Sequence, residues 1–337
     1  MKTLFFALIA LATTSIWSQQ TITSTQNGDF FAFGTWDCFC LPADGDTVII
    51  EHSVNMNFGI PYTMGQIIVN SSGSLTDGGT DKDIYINGGQ FINYGLVELD
   101  GFWLDSGSFV NEGNMILDSL WTQDISTNNG TISTFDFLHD QLTSFQNNGE
   151  ITVNNNFSNQ GIFNNNTGAS LSIANDGSNC NIQGNSALFD NYGIVCITGD
   201  FINCGSDTLT GSGFWFVEGQ ASNTGDVLGN LQMHFNGGSW ALNTGNVASS
   251  VTIGSDPCFL SLESSELEWS IYPNPANNIV WLSTEFKSAT IYDASGKTIM
   301  SVSAGKSIDI SQLERGVYMI QIVTHNDMLT QQQLIKE

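Results

Sequence analysis

A pentapeptide of the form apolar-x-Asn-x-Gly recurs along the middle of the chain and constrains the fold more than any other feature. Its six strongest copies begin with Phe and occupy residues 91–95, 109–113, 145–149, 157–161, 189–193 and 201–205. Weaker copies occupy residues 126–130, 173–177, 221–225 and 241–245. Successive copies start 12 to 20 residues apart. Repeats of this kind are typical of solenoids, in which each repeat packs only against its neighbours.

Short runs of alternating or β-branched apolar residues follow most copies, as at residues 96–99 and 151–153. Such runs predict strands and not helices. Asn and Gly tolerate the left-handed backbone conformation that a sharp corner requires. We therefore predict an all-β chain that is mainly a parallel β-helix, with one coil per pentapeptide, Phe inward and a hydrogen-bonded Asn ladder at the corner. A β-sandwich with Asn-Gly hairpins is the alternative.

The two ends of the chain differ from this repetitive body. Residues 1–18 have the pattern of a secretory signal peptide, with Lys2, an apolar run and small polar residues. The apolar run is too short to span a bilayer, and no other segment reaches its length. We place the solenoid at residues 19–256, a linker at 257–269 and a separate C-terminal unit at 270–337.

The first coils carry a cluster of structural signals. Thr35, Trp36 and Pro42 are followed by a Gly45-Asp46 turn and the apolar strand 47–50. This start resembles that of secreted right-handed β-helix proteins of Bacteroidetes. Because the open end of a solenoid exposes apolar edges, we expect Trp36 to cover that end.

The charge balance excludes some partners. The chain has 33 acidic and 7 basic residues and a net charge of −26. Between residues 19 and 262, Lys82 is the sole Lys or Arg in the sequence. A body with so little positive charge cannot neutralise phosphates, so binding to nucleic acid or to anionic membranes is not expected.

Six cysteines suit an oxidising compartment. Cys180 and Cys196 each lie seven residues after the start of a pentapeptide copy. Equal offsets predict that they lie on adjacent coils and form a disulfide. The pairing of Cys38, Cys40, Cys204 and Cys258 stays open, and a Cys-x-Cys pair without a companion motif does not indicate a zinc site.

The sequence contains no convincing catalytic constellation. Lyases that act on acidic sugars need basic residues, which the solenoid lacks apart from Lys82. The nearest group of catalytic residue types is Asp136, His139 and Asp140, which we interpret as a solvated corner. We therefore expect no enzymatic activity and no cofactor; Asp77, Asp81 and Asp83 are the residues that could collect a Ca²⁺ ion, although their spacing does not fit an EF-hand loop.

A second series of aromatic residues follows the pentapeptides. Phe102-Trp103, Leu120-Trp121 and residues 214–216 belong to it. Neighbouring residues of a strand point to opposite faces, so one residue of each pair can lie outside. Either the series is a second core stack, or Trp103, Trp121 and Trp215 form an exposed strip that stacks on sugars.

The C-terminal region is predicted to form a small β-sandwich of short antiparallel strands, of Ig-like type. It carries a set of motif residues, in order: Pro273, Asn274, Pro275, Asp293, Gly296, Lys297, Leu313, Gly316, Tyr318 and Lys336. With these residues the region closely resembles the C-terminal sorting domain of the Bacteroidetes type IX secretion system. The resemblance implies export across the outer membrane, removal of the tail by a sortase and attachment to surface lipopolysaccharide. One departure is residues 331–333, all Gln, where related tails commonly carry a Lys.

Together these features predict a secreted or surface-displayed β-solenoid with an adhesin-like, glycan- or ligand-binding role and no catalytic residues. A polysaccharide-degrading enzyme of the glycoside hydrolase type is the alternative. A purely structural role would require no glycan affinity. The ligand, the oligomeric state and the choice between release and anchoring stay open.

Overall fold

The computed structural model describes residues 19–62, 65–140, 143–181, 184–258, 271–293, 297–324 and 329–336. The chain divides into two compact units, Met1–Leu260 and Ser261–Glu337. The predicted signal peptide and most of the predicted linker lie outside the described residues. Among the described residues there is no helix with the length and apolarity that a membrane crossing requires.

The first unit is a parallel β-solenoid, as predicted, with three strand-forming faces that the chain visits in turn. The first face is made of Thr21–Thr23, Thr47–Ile50, Gln66–Val69, the 90–93 part of Asp83–Asn93, the 108–111 part of Leu96–Asn111, Ile125–Asn128, Ser144–Asn147, Ile162–Asn165, Leu188–Asn191, Thr208–Gly211, Asp226–Val227 and Asn246–Val247. All neighbouring strands on this face pair in parallel, so equivalent residues lie directly above one another.

The second face follows the first along the chain in each coil. It is made of Gly28–Asp29, Ser53–Asn55, Ser74–Thr76, the 96–99 part of Leu96–Asn111, the 114–117 part of Asn114–Thr122, the 131–134 part of Thr131–His139, Glu150–Val153, Ser170–Ile173, Ile194–Ile197, Phe214–Val217, Gln232–Phe235 and Thr252–Gly254.

The third face completes each coil. It is made of Ile60–Tyr62, the 83–86 part of Asp83–Asn93, the 101–104 part of Leu96–Asn111, the 119–122 part of Asn114–Thr122, the 136–139 part of Thr131–His139, Phe157–Asn159, Gly177–Asn179, Phe201–Asn203, Ala221–Asn223 and Leu242–Asn243.

Side chains alternate between the interior and the solvent along each strand, and the interior positions hold the core. The predicted inward direction of Phe is confirmed at Phe91, Phe109, Phe145, Phe157 and Phe189, all of which are buried. Rings on successive coils contact one another; Phe145 and Phe163, for example, stack with centroids 5.2 Å apart. Each buried Phe contributes about 1.5–3 kcal/mol of apolar burial.

The Asn side chains form hydrogen-bonded ladders inside the corners, but there are two ladders and not one. The first, at the end of the first face, joins Asn93, Asn111, Asn128, Asn147, Asn165 and Asn191. The second, at the end of the third face, joins Asn159, Asn179, Asn203, Asn223 and Asn243. The prediction of one coil per pentapeptide was therefore wrong where copies start only 12 residues apart, because those copies lie on different corners of one coil.

At the corner that follows the first face, the pentapeptide Gly is required for a reason that differs from the one predicted. Gly113, Gly130 and Gly149 do not adopt a left-handed conformation. Instead, a Cβ atom on each would lie 2.1 to 2.3 Å from the carbonyl oxygen of the stacked Gly one coil below. Backbones approach so closely at this corner that no side chain fits between them.

The N-terminal end of the solenoid is covered as expected. Trp36 is fully buried and follows the short 3₁₀ helix Phe33–Thr35. Its Nε1 donates a hydrogen bond to the carbonyl oxygen of Phe30 at 2.8 Å, and its ring packs edge-on against the Phe30 ring. The indole therefore closes the apolar interior while its single polar atom is satisfied.

The disulfides differ from the predicted Cys180–Cys196 pair. Cys180 bonds to Cys204, Cys196 bonds to Cys258, and Cys38 bonds to Cys40. The prediction failed because the two equal offsets were counted from pentapeptide copies on different corners. Asn179 pairs with Asn203 on the third face, which sets Cys180 beside Cys204, whereas Cys196 lies on the second face.

The C-terminal unit is an antiparallel β-structure consistent with the predicted Ig-like sandwich. Its described strands are Ile271–Tyr272, Ile279–Tyr292, Thr298–Asp309, Gly316–Thr324 and Leu329–Lys336. The long strand Ile279–Tyr292 pairs with both Thr298–Asp309 and Gly316–Thr324, and Gly316–Thr324 pairs in turn with Leu329–Lys336. Residues such as Val280, Phe286 and Ile320 are buried in a separate core.

Candidate functional site

Three aromatic side chains form a ladder on the outside of the third face. Tyr85, Trp103 and Trp121 occupy the same register position on consecutive coils. The Tyr85 and Trp103 rings are stacked with centroids 5.8 Å apart, and the Trp103 and Trp121 rings meet edge-on at 4.9 Å. Tyr85 is 45% exposed, and both Trp side chains are half-buried. We call these three residues the aromatic ladder.

Strand alternation explains why these particular residues face outward. Phe102 and Leu120 precede the two Trp residues and are buried in the core. Their burial fixes the register, so Trp103 and Trp121 must point to the other side of the strand. Phe102 and Leu120 thus belong to the core while Trp103 and Trp121 face outward, and sugar stacking on the two outward rings stays a prediction.

Trp215 does not belong to the aromatic ladder, and its assignment as a ligand-binding residue was wrong. Its side chain is fully buried and packs against Phe189 and Phe201, with ring centroids 4.7 and 4.9 Å away. It lies on the second face, where the inward position holds the large ring. The neighbours Phe214 and Phe216 take the outward positions instead.

Tyr85 was not identified from the sequence, although a signal was present. Tyr85, Trp103 and Trp121 are spaced 18 residues apart, which is the length of one coil in this region. All three are therefore aromatic residues that recur at coil spacing, whether or not a second aromatic residue adjoins them. Tyr85 was missed because its neighbours Ile84 and Ile86 are aliphatic and mark an ordinary strand.

Carboxylates border the aromatic ladder at the corner that precedes the third face. The Tyr85 hydroxyl donates a hydrogen bond to Asp83 Oδ2 at 3.0 Å, and this bond raises the pKa of Tyr85. Burial raises the pKa of Asp100, and the neighbouring carboxylates of Asp83 and Asp118 raise it further. The corner therefore offers several hydrogen-bond acceptors next to the rings.

Gly101 makes room for the Asp83 carboxylate and the Trp103 indole, which both lie against its backbone. A Cβ atom on Gly101 would lie 2.4 Å from Asp83 Oδ1 and 2.5 Å from Trp103 Nε1. The Nε1 atoms of Trp103 and Trp121 are enclosed and find no hydrogen-bond partner within the described part of the chain. The same holds for Nε1 of Trp215 in the core, so an unpartnered indole N–H does not by itself distinguish the aromatic ladder.

The third face continues beyond the aromatic ladder as a shallow trough of about 460 Å³. In the register of Trp121 the next residues are Leu138, Ser158, Ser178 and Ile202. The trough is lined by Asn156, Phe157, Ser158, Asp176, Gly177, Ser178, Asp200, Phe201, Ile202, Gln220 and Ser222. The ladder and the trough thus follow one line along the solenoid.

The carboxylates at the edge of the trough also hold neighbouring coils together. Oδ1 of Asp176 accepts a hydrogen bond from the backbone N–H of Asp200 at 2.8 Å. Oδ1 of Asp200 accepts one from the backbone N–H of Gln220 at 2.7 Å. Asp136 accepts an equivalent bond from Asn156, so one corner carries a row of such acceptors.

The residues considered for Ca²⁺ are not brought together as a site. The Asp77 carboxylate accepts hydrogen bonds from the backbone N–H groups of Gly79 and Lys82, at 2.8 and 3.1 Å, and so closes its own turn. Within the described residues, the sole cluster of three or more metal-ligating side chains is Cys180, Cys204 and Asp207. Its two sulfurs are joined in a disulfide and are not thiolate ligands.

His139 is an interior residue and not part of a solvated corner. Its Nδ1 lies 2.9 Å from Thr122 Oγ1 and its Nε2 lies 3.0 Å from the Thr143 carbonyl oxygen. Burial lowers the pKa of His139 to about 4. It takes the register position that Asn159 takes in the next coil, and its ring contacts Thr122 and Thr143 where the second Asn ladder has amide-to-amide bonds.

Several motif residues of the C-terminal unit have direct structural contacts. Asn274 Oδ1 accepts a hydrogen bond from the backbone N–H of Ile335 at 2.8 Å, joining the first and last parts of the unit. Asp293 Oδ1 accepts one from the Lys297 N–H at 3.1 Å. Tyr318 donates its hydroxyl to the Glu314 carbonyl oxygen at 2.9 Å.

The remaining motif residues that the structure describes also lie within the C-terminal unit. Leu313 is buried in the core of the unit, and Gly316 pairs with Lys336 on the last two strands. Pro273 and Pro275 flank Asn274, and Gly296 lies outside the described residues. The described motif residues thus contribute core packing, a strand pair and hydrogen bonds within the C-terminal unit.

Comparison with known proteins agrees with this reading of the C-terminal unit. The family of secretion system C-terminal sorting domains matches residues 270–337. No curated protein sequence matches the chain. No solved structure matches it either.

Proposed function

We propose that this protein, a β-solenoid exported by a type IX secretion C-terminal sorting domain, is a non-enzymatic passenger that binds glycans along its third face. The sorting domain implies the secretion machinery as a partner and a location at the cell surface or in the extracellular space. The observation that carries the proposal is the aromatic ladder.

The ladder has the chemistry that sugar binding requires. Aromatic rings present flat apolar surfaces against which the C–H faces of sugar rings stack, and binding sites combine such surfaces with a few oriented polar groups. Tyr85 and Trp103 supply the stacked rings, and Asp83 and Asp100 supply acceptors for sugar hydroxyls beside them. Because the site is built on strands of a regular solenoid, its groups are held before the ligand arrives.

The charge of the solenoid favours neutral glycans over acidic ones. Residues 19–262 contain one Lys and no Arg against 24 Asp and Glu. A polyanionic chain that approached the third face would meet the carboxylates of Asp83, Asp100 and Asp118 without a compensating cation nearby other than Lys82. We therefore expect neutral hexose polymers to bind and uronic-acid or sulfated polymers not to bind.

The direct test is a glycan array probed with the full chain from residue 19. The wild type is expected to bind neutral polysaccharides, and Trp103→Ala and Trp121→Ala are each expected to weaken binding at least tenfold. Tyr192→Ala is the matched control, because Tyr192 is 46% exposed but lies at a corner away from the third face. Equal loss in the control, or no binding by the wild type, contradicts the proposal and leaves a structural role.

One observation favours a second candidate, a glycoside hydrolase. Glycosidases pair a carboxylic acid of raised pKa with an ionised carboxylate, and Asp100 has a raised pKa close to Asp83 and Asp118. New reducing ends released from a bound polysaccharide would establish this activity. Asp100→Asn should then abolish release while binding persists, whereas a pure binding protein releases nothing in either form.

The fate of the tail is a further part of the proposal. We expect a sortase to remove the sorting domain and to attach the solenoid to surface lipopolysaccharide. Surface protein from a host with type IX secretion should then lack residues 270–337. Its mass should be heterogeneous and larger than that of the solenoid alone, because of the attached lipopolysaccharide. A homogeneous, full-length surface protein would contradict both steps.

A further inference from the structure

The cap of the solenoid carries an unusual disulfide between Cys38 and Cys40, which are separated only by Phe39. Cys38 is exposed and Cys40 half-buried, and the Phe39 side chain is 77% exposed. The two other bridges are less accessible: Cys180 and Cys204 are half-buried, and Cys196 and Cys258 are buried. Cys38 is therefore the one exposed residue among the six disulfide-bonded cysteines, all of which the structure describes.

Stabilisation of the fold does not explain this bridge. The contribution of a disulfide through chain entropy grows with the length of the loop that it closes. The three bridges have sequence separations of 2, 24 and 62 residues. The Cys38–Cys40 bond thus constrains the unfolded chain least.

The bridge also coincides with backbone strain. Phe39 has a φ of 49°, in the left-handed region that bulky L-residues avoid. Of the non-glycine residues that the structure describes, Asp81 is the one other with a positive φ, and neither of the longer bridges involves such a residue. Opening the short ring releases Phe39 from this conformation, so reduction is favoured here relative to the other two bridges.

One sulfur is prepared to leave as a thiolate. The backbone N–H of Cys40 donates a hydrogen bond to Cys38 Sγ at 3.1 Å. A donor at this position stabilises negative charge on Cys38. In exchange reactions the sulfur with the more stable thiolate leaves faster, which makes Cys38 the leaving group and Cys40 the point of attack.

We propose that Cys38–Cys40 is a thiol–disulfide exchange site that oxidises dithiols outside the cell. A thiolate of the external dithiol attacks Cys40 Sγ, the Cys38–Cys40 bond breaks, and Cys38 leaves as a thiolate. The second thiol of the substrate, after losing its proton, attacks the mixed disulfide and releases Cys40. The substrate loses two electrons and two protons and becomes a disulfide, while Cys38 and Cys40 become thiols.

The test uses the full chain from residue 19 in glutathione redox buffers, with alkylation and peptide mass mapping of each bridge. Cys38–Cys40 is expected to open at a more oxidising poise than the other two bridges. Phe39→Gly removes the strain and should lower the equilibrium constant for reduction about tenfold, which is about 30 mV. Phe39→Ala, which keeps a Cβ atom at the same φ, should leave the constant unchanged. Simultaneous opening of all three bridges, or equal effects of Gly and Ala, overturns the proposal.

A second measurement separates exchange from a structural role. With dithiothreitol as the probe, the wild type should oxidise one equivalent per chain in a fast phase, and Cys38→Ser/Cys40→Ser should lack that phase. The double variant should keep the thermal midpoint of the wild type. A fast phase that survives in the double variant, or a lowered midpoint, contradicts the assignment.

Discussion

Asn111 donates a hydrogen bond from its side-chain amide to Oδ1 of Asn128 on the next coil at 2.8 Å, with both side chains fully buried. Asn128 repeats the contact one coil further on, to Asn147. Each amide thus satisfies a buried polar neighbour above and below, and the corner gains a continuous polar chain inside an apolar core.

Asn128→Ala should be strongly destabilising. The Asn128 amide donates to Gly130, Asn147 and Glu150, and its oxygen accepts from Asn111. Truncation leaves these buried groups without partners, which costs about 3 kcal/mol. Urea unfolding followed by far-UV circular dichroism measures the loss. Asn129→Ala, at the exposed neighbouring position, should change stability by less than about 0.5 kcal/mol; equal effects would mean that the ladder is not the cause.

The stacked glycines permit a test with an internal control. In Gly130→Ala the new Cβ would lie 2.1 Å from the Gly113 carbonyl oxygen, so the coils must separate at this corner. We expect a loss of at least about 2 kcal/mol. Gly205 ends another copy of the same pentapeptide but has open space around it. Thermal melting of Gly205→Ala should match the wild type, and a comparable loss there would instead implicate backbone conformation.

Stability should fall in mild acid because of His139. Its pKa is about 4 in the folded protein and 6.5 in the unfolded chain, so the unfolded chain binds more protons between these values. The contribution of His139 to the free energy of unfolding is complete above pH 6.5 and declines as the pH falls towards 4. At pH 5 the free energy of unfolding should be lower by about 2 kcal/mol. The free energy of unfolding is measured with urea at pH 7.5 and at pH 5. The difference between the two values should be smaller in His139→Asn than in the wild type. An unchanged pH dependence would show that other groups dominate.

Removal of the Cys196–Cys258 bridge should destabilise the far end of the solenoid. This bridge spans 62 residues, and loss of a loop of that length costs about 4 kcal/mol on the chain-entropy account. In Cys196→Ser/Cys258→Ser, hydrogen exchange should accelerate first in strands Phe214–Val217 and Gln232–Phe235. Uniform acceleration along all coils would show instead that the solenoid unfolds as one unit.

The sequence was sufficient to predict the solenoid because Phe and Asn recur at positions that coil stacking imposes. It was insufficient to separate the two Asn ladders. Asn165 belongs to the first ladder but has Thr167 where the pentapeptide has Gly, and the copy at residues 173–177 lies at a third corner. The wrong Cys180–Cys196 pair followed from this mixture, since an offset locates a residue only when its origin is the same corner.

The aromatic residues show the same limit. Alternation predicts that one member of each aromatic pair can face outward, and Trp103 and Trp121 do so. It does not say which member faces inward when three aromatics are consecutive, as at residues 214–216. There the parallel pairing of Val195 with Trp215 sets the register and buries Trp215. Packing against the coil below decided a choice that the local pattern left open.

The Cys196–Cys258 bond also determines how the solenoid bears mechanical load. Cys258 is the last residue that the structure describes before the segment leading to the sorting domain. A pull on the chain beyond Cys258 is transmitted through the disulfide to strand Ile194–Ile197. Strands Phe214–Val217, Gln232–Phe235 and Thr252–Gly254 are bypassed and carry no tension. The end of the solenoid is therefore protected against peeling coil by coil, and force meets it as shear on an inner coil.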